Sequence, residues 1–324
     1  MKTTVIGAFP KISDDPGGQE IRRALHRFDR GEIDAGALDQ VFDGATRAAI
    51  AELEAAGIDV INDGQIRWDD LFAAFARSWE GVSRGPLERF YDNNTYFRQP
   101  IIERAVATGG RTLVRDFELA KQTATKQLKA AVCGPLSFAT LTAEDKAYRT
   151  LEQRTLAVAD ALAAEIRGLG AAGATLVDVE DPAIVARPDL ISLAREAYDR
   201  MAKANVPLAV QPYFFPADGI LAELASFPVA QLGIDIRSRH SDALARLEPL
   251  RARTVVLGVV DARNTRLESE GEVASALEAA ARVIGPDHVW AAPTTGLEYL
   301  PHDVATKKLA VLVKGARAAM GVLA

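Results

Sequence analysis

Six short apolar runs in this chain each end on a small cluster of polar residues. They read Val60-Ile61-Asn62-Asp63-Gly64-Gln65, Leu176-Val177-Asp178-Val179-Glu180-Asp181 and Leu208-Ala209-Val210-Gln211-Pro212-Tyr213. Leu232-Gly233-Ile234-Asp235, Leu257-Gly258-Val259-Val260-Asp261 and Trp290-Ala291-Ala292-Pro293-Thr294-Thr295-Gly296 follow. Strands that are apolar on both faces belong to buried parallel sheets, and chemistry in such folds sits at the strands' carboxyl ends. A chain that repeatedly places Asp, Glu, Gln, Tyr and Thr at that point reads as an enzyme.

Strand-like and helix-like segments alternate from end to end. Strands are predicted at residues 3–9, 59–62, 130–133, 175–179, 207–210, 231–234, 255–260 and 289–292. Helical spacing of apolar residues predicts helices at 35–56, 151–168, 218–226, 242–251, 272–284 and 302–319, with another opened by Pro188-Asp189, where proline and an acid suit the first turn. Eight strands each followed by a helix make the (β/α)8 TIM barrel, with a doubly wound open sheet as the main alternative. The whole of 1–324 reads as one such domain. Residues 64–128 are too long for an ordinary strand-to-helix loop and read as an insertion after the second strand. Within it, 95–107 and 111–118 flank Gly109-Gly110 as a predicted β-hairpin. The aromatic and amide residues before it, Asn94 and Tyr96 among them, suit a lid over the barrel mouth; padding along the barrel's side is the other reading.

The net charge of −6 is spread over mixed acids and bases, so there is neither a basic stripe for nucleic acid nor a polybasic patch for anionic lipid. No apolar run approaches the roughly 20 residues of a membrane helix, and the start lacks the long apolar region of a signal peptide. A cytoplasmic protein is expected, of oligomeric state the sequence does not fix. One cysteine, Cys133, and four histidines leave no site that needs two protein thiolates.

Asp63, Glu180, Asp181, Asp235 and Asp261 fall at predicted strand ends and are expected to converge on one mouth. Carboxylates crowded there raise one another's pKa and attract cationic or NH-rich ligands. The bland alternative is that they pair with Arg67, Arg187, Arg237 or Arg263 to pin loops. Gln211 and Tyr213 point the same way from the end of the fifth strand, since side chains alternate with period two, although Tyr213 also suits a core position with its hydroxyl satisfied. Thr294 and Thr295 close the eighth strand, and His240, just past the sixth, is a candidate acid/base.

The order of these elements resembles the catalytic C-terminal domain of cobalamin-independent methionine synthase. Thr4-Val5-Ile6-Gly7-Ala8-Phe9-Pro10-Lys11 is similar to that family's Gly-Ser-Phe-Pro strand, and Asp63-Gly64-Gln65 to its Asp/His-Gly-Glu. Asn94-Thr95-Tyr96-Phe97-Arg98-Gln99-Pro100, Gly134-Pro135, Glu180-Asp181-Pro182-Ala183, Gly258-Val259-Val260-Asp261 and Pro293-Thr294-Thr295-Gly296-Leu297 resemble further family segments in order. The resemblance implies a TIM barrel that transfers methyl groups. The family's zinc ligands fall on Gln211, Tyr213, Asp235 and Thr295, a set of one carboxylate and three neutral groups that suits zinc poorly. The positions resembling the amino-acid clamp carry Gln65 and Glu180, and Leu141 stands about where the family has a tryptophan.

The expected function is therefore one-carbon transfer without zinc. The carrier would be methyltetrahydrofolate or a methylcobalamin-bearing corrinoid protein, and the acceptor something other than a zinc-bound thiol. Gln211, Tyr213, Glu180 and His240 are the expected catalytic residues; Asp63, Gln65, Asp181, Asp235, Asp261, Thr295, Asn94 and Tyr96 are expected to bind substrate. A metal-free lyase related to uroporphyrinogen decarboxylase and a non-catalytic ligand-binding paralogue are the competing readings.

Overall fold

Val, Ile, Leu and Ala fill both faces of the central strands, and such strands lie side by side only where helices cover them. The computed structural model describes residues 1–13, 18–91, 93 and 95–323. Its strands are β1 (Lys2–Thr3), β2 (Val60–Ile61), β3 (Glu80–Arg89), β4 (Tyr96–Ala107), β5 (Gln127–Leu128), β6 (Ala130–Cys133), β7 (Glu144–Asp145), β8 (Val177–Glu180), β9 (Leu208–Gln211), β10 (Gln231–Asp235), β11 (Thr254–Val260) and β12 (Val289–Pro293). Seven of them form a curled parallel sheet in the order β1-β12-β11-β10-β9-β8-β6. β2 pairs in parallel with β5, Thr4 bridges to Val60, and the Lys129 amide donates to Ile61 O at 2.9 Å. β2 thus lies between the two ends of the curled sheet.

Helices spanning Ala35–Ala55, Leu151–Ala171, Ile191–Met201, Glu270–Ile284 and His302–Leu323 cover the outside. Local chemistry starts several of them. Asp34 accepts the Ala37 N–H at 2.8 Å, Thr150 accepts that of Gln153 at 3.1 Å, and Ser269 with Glu272 forms a reciprocal capping box. Buried apolar side chains from both layers make one continuous core.

Two expectations need correction, and one helix lies where none is expected. The hairpin of the insertion pairs β4 with β3, which precedes it, and not with residues 111–118. Those residues enter the helix Val114–Thr123, because Val114, Phe117 and Ala120 recur at helical spacing and bury one face, while Gly110 (φ 68°) makes the sharp turn against Ala164 O. The exposed run of β3, with Gly81, Gly85 and Pro86, carries little strand signal of its own. The predicted helix 242–251 is two short 3₁₀ turns, Ala243–Arg246 and Glu248–Leu250, because Pro249 lacks the N–H a continuing helix needs. The helix Glu20–Asp29, not predicted, packs on Ala35–Ala55.

Candidate functional site

Parallel register sets the centre of the site. β8 and β9 place Glu180 beside Gln211, and the alternation of side chains turns Asp178 and Glu180, then Gln211 and Tyr213, to the same side. Two hydrogen-bonded tiers result. In the deeper one, Lys129 Nζ lies 2.5 Å from Asp178 Oδ2, and Gln211 Nε2 donates to Asp178 Oδ1 at 3.3 Å. In the upper one, Glu180 accepts from Gln65 Nε2 on one carboxylate oxygen and from the Tyr213 hydroxyl, at 2.9 Å, on the other. All six side chains are buried.

The upper tier opens into a pocket of about 520 Å³, its mouth included. Glu180, Gln65 and Tyr213 form its floor; Lys11 and Glu298 flank it; Trp68, Phe90, Tyr96, Phe97 and Tyr299 form aromatic walls. The hairpin's tip therefore stands over the carboxyl ends of the strands. Phe214 joins it to the floor, with ring centroids 5.7 Å from Phe90, 4.6 Å from Tyr213 and 5.9 Å from Tyr299. Two backbone positions carry local strain here: Gln65 and Phe214 adopt φ values of 48° and 81°.

Electrostatics single out two carboxyls. Burial raises Glu180 to about 7 against the opposing pull of its hydrogen bonds from Gln65 and Tyr213, with Asp178 adding to the rise. Glu298 keeps solvent contact at the mouth, yet the surrounding walls, and then the charge of Glu180, push its carboxyl up to about 8. The two come close because Gly7 and Gly296 let the backbones touch. A Cβ on Gly7 would lie 2.8 Å from Gly296 Cα and 3.3 Å from Glu180 Oε2, and one on Gly296 would collide with the Glu298 carboxylate. Lys11 is lowered by desolvation, with Glu298 opposing.

Of the residues singled out in the sequence, Glu180, Gln65, Tyr213 and Tyr96 meet in this pocket, and Gln211 lies directly beneath it. The others do not join them. Asp181 turns back to the start of the helix Pro135–Leu141, where it accepts the Ser137 N–H at 2.7 Å and the Ser137 hydroxyl at 2.6 Å. Asp235 and Asp261 are held by Arg263, at 3.4 Å and 3.1 Å, the loop-pinning alternative read from the sequence. Asp63 accepts the Gln65 N–H at 2.9 Å and faces a side cleft with Leu113 and Phe117. Thr295 is buried outside the pocket lining, and His240 is exposed. Asn94 lies outside the described residues. Replacing Asp181 with alanine is therefore expected to cost about 1–3 kcal/mol of stability while leaving ligand affinity at the pocket unchanged. Unfolding curves and calorimetric titration of one variant check both halves.

Lys11, Trp68, Glu298 and Tyr299 are lining residues that the sequence does not single out. Lys11 ends the opening Gly-Ala-Phe-Pro motif and Glu298 lies two residues past Gly296, so a search extended slightly beyond each strand end reaches both.

The four positions where zinc is expected from the resemblance do not fit the metal. Tyr213 spends its hydroxyl on Glu180 and Gln211 its amide N–H on Asp178. Asp235, the one carboxylate, accepts the Arg237 N–H at 2.8 Å and faces Arg263. Thiolate and imidazole, which supply most zinc affinity, are missing from this set. Cys133, at the end of β6, is buried and its thiol is pushed well up by desolvation.

No described helix is long and apolar enough to cross a membrane. The chain's residues 62–284 match the family model described as "Cobalamin-independent synthase, N-terminal domain"; the motifs above resemble the C-terminal domain, and the matching model is that of the N-terminal one. A methionine synthase of Sulfurisphaera tokodaii is 28% identical over 98% of this chain and 92% of its own length. That of Saccharolobus solfataricus is 26% identical over 98% and 94%. Among solved structures, a B12-independent methionine synthase from Shewanella sp. W3-18-1, in complex with selenomethionine, superposes with a TM-score of 0.86 at 19% identity, covering 99% of this chain and 98% of that one. The family match spans about two thirds of the sequence, so this chain belongs to the cobalamin-independent synthase family and is an enzyme of the methyltransferase class.

Proposed function

We propose that the chain transfers a methyl group at the Glu180 pocket without a protein-bound zinc ion, between a methyltetrahydrofolate or methyl-corrinoid carrier and a small partner molecule. The observation that carries this reading is the Gln65–Glu180–Tyr213 cluster, a buried carboxyl with its value near neutrality at the floor of an aromatic pocket. A flat carrier ring stacks on such walls, and Glu180 is poised to take or give the proton that methyl transfer to or from an N–H or S–H group requires. Gln65 and Tyr213 fix its two oxygens, and Tyr96 closes the mouth from the hairpin. The relatives named methionine synthase support methyl transfer in general.

The same reading closes the strands into an eight-stranded (β/α)8 barrel. The Thr4–Val60 bridge and the pairing of β2 with β5 support that closure. A closed ring would seat Lys129, Asp178 and Gln211 inside it, below the pocket.

The test is a calorimetric titration of metal-analysed protein with methyltetrahydrofolate, followed by turnover with candidate acceptors in the presence and absence of a chelator. Saturable binding and chelator-resistant turnover are expected. Activity that tracks added zinc one-to-one would sink the zinc-free reading. Absence of methyltetrahydrofolate binding would move the carrier assignment to a corrinoid protein.

A further inference from the structure

The pocket's chemistry also bears on what the carrier exchanges its methyl group with. Glu180 takes its hydrogen bonds from two neutral groups, Gln65 and Tyr213. Glu298, beside it, folds its carboxylate over Gly296 toward the same space. Asp69 and Asp70 line the pocket too, but their carboxylates are committed elsewhere: Asp69 pairs with Arg77 and, at 3.3 Å, with Arg84, while Asp70 accepts the Phe72 and Arg98 N–H groups. Among the described residues, Lys11 is the single cation on the lining. Two carboxyls therefore face a cavity walled mainly by aromatic rings: Trp68, Phe90, Tyr96, Phe97 and Tyr299, with Tyr213 on its floor.

Acids alone bind many things, including protons. Aromatic faces combined with acids are more selective. A hydrated ammonium or metal ion gives up strong hydration on entering such a cavity, whereas a cation shielded by methyl groups is weakly hydrated and gains from ring faces and carboxylates together. We propose that the non-carrier ligand of this pocket is a methylated onium compound, a quaternary ammonium or a sulfonium, which serves as methyl donor to the carrier. The assignment rests on the reading of this pocket as the site of methyl transfer.

The step balances without an oxidant or reductant. The secondary amine nitrogen of a tetrahydropterin carrier attacks the methyl carbon of the onium, and a C–N bond forms as the S–C or N–C bond breaks. The electron pair of the broken bond leaves with the sulfur or nitrogen, which departs as a neutral sulfide or amine and needs no acid. The proton of the attacking amine passes to the Glu180 carboxylate. The positive charge passes from the onium to the attacking nitrogen and is discharged when that nitrogen's proton goes to Glu180.

Binding is tested with choline and trimethylsulfonium, followed by Trp68 fluorescence and calorimetry, against 3,3-dimethylbutan-1-ol, the neutral isostere of choline. The onium ions are expected to bind at least ten-fold more tightly than the isostere. Glu298→Gln and Tyr96→Leu, both at exposed positions, are expected to weaken the onium ions by about ten-fold each and the isostere little. With tetrahydrofolate present, trimethylsulfonium is expected to release dimethyl sulfide in step with methyltetrahydrofolate formation. Equal affinity for the isostere, or onium affinity unmoved by Glu298→Gln in a variant that melts like the parent, overturns the assignment. Onium binding without dimethyl sulfide release overturns the donor role. If methyltetrahydrofolate methylates some other acceptor while onium ions do not bind, the inference fails and the methyltransferase reading stands.

Discussion

Glu180→Gln is expected to lower methyl transfer by 10²–10⁴-fold, the usual share of a positioned acid/base group, while the protein folds and its pocket keeps its shape. The carboxylate form must be present to accept the proton, so the parent's rate is expected to rise through about pH 7 and level off above it. The variant should lose that inflection. A loss below three-fold, or an unchanged pH profile, would remove Glu180 from the reaction. The same group leaves a mark on stability with the opposite sense. Its folded-state value, about 7, lies above its ordinary 4.5, so the native state favours the protonated form. Stability contributed at this position is full below pH 4.5 and declines as pH rises through about 7, by roughly 3 kcal/mol. Glu180→Gln removes that decline. Denaturant unfolding at pH 5 and pH 8 is expected to show parent and variant close together at the lower pH and the variant more stable at the higher.

The second large effect lies one tier down. Lys129→Met is expected to destabilise the protein by about 3–5 kcal/mol at neutral pH, because Asp178 would be left as a buried charge without its partner. Both side chains are about 1% exposed, so water cannot screen the loss. Protonating Asp178 relieves the penalty. Burial already raises its carboxyl above the usual range, and the deficit of the variant should therefore shrink as pH falls toward 4. Lys129→Met combined with Asp178→Leu removes both charges and is expected to recover most of the loss. A single-variant deficit under 1 kcal/mol at pH 7 would mean that the pair is solvated or absent. Lys129 holds Glu180 down while Asp178 pushes it up, so Lys129→Met alone should move the inflection of the activity profile upward. The double variant, which removes both charges, should return it toward the parent's position as it restores stability.

Both results depend on residues that differ in how visible they are. Glu180 stands at the end of an apolar run and could be picked from the sequence; Lys129 precedes one and could not. The strands that build the parallel sheet are legible because burial on both faces leaves only Val, Ile, Leu and Ala at consecutive positions. β8 to β12 fall within a residue or two of their predicted bounds. The hairpin of the insertion is not legible in the same way. β3 is exposed along most of its length and carries glycines and a proline, so its pairing with β4 comes from the partner strand and from packing against the helix Ala73–Ser78, which no local pattern records.

The acids at the strand ends divide along the same line. Period-two alternation fixes that Asp178 and Glu180 share a face, and the sequence determines as much. It does not say where a carboxylate finds its partner. Asp181 caps a helix that begins 46 residues earlier, at Pro135, and Asp235 and Asp261 meet the one arginine, Arg263, that reaches both. Each of those contacts is made across the fold, between segments far apart in the chain, and only the tertiary structure decided which carboxyls are spent on holding loops. Glu180 was left with neutral partners and Glu298 was brought beside it, because Gly7 and Gly296 allow two backbones to touch at that place and nowhere along the sequence do they lie together. The sequence by itself determined the layered fold and the positions from which chemistry could be drawn; which of them face an open pocket followed from long-range packing.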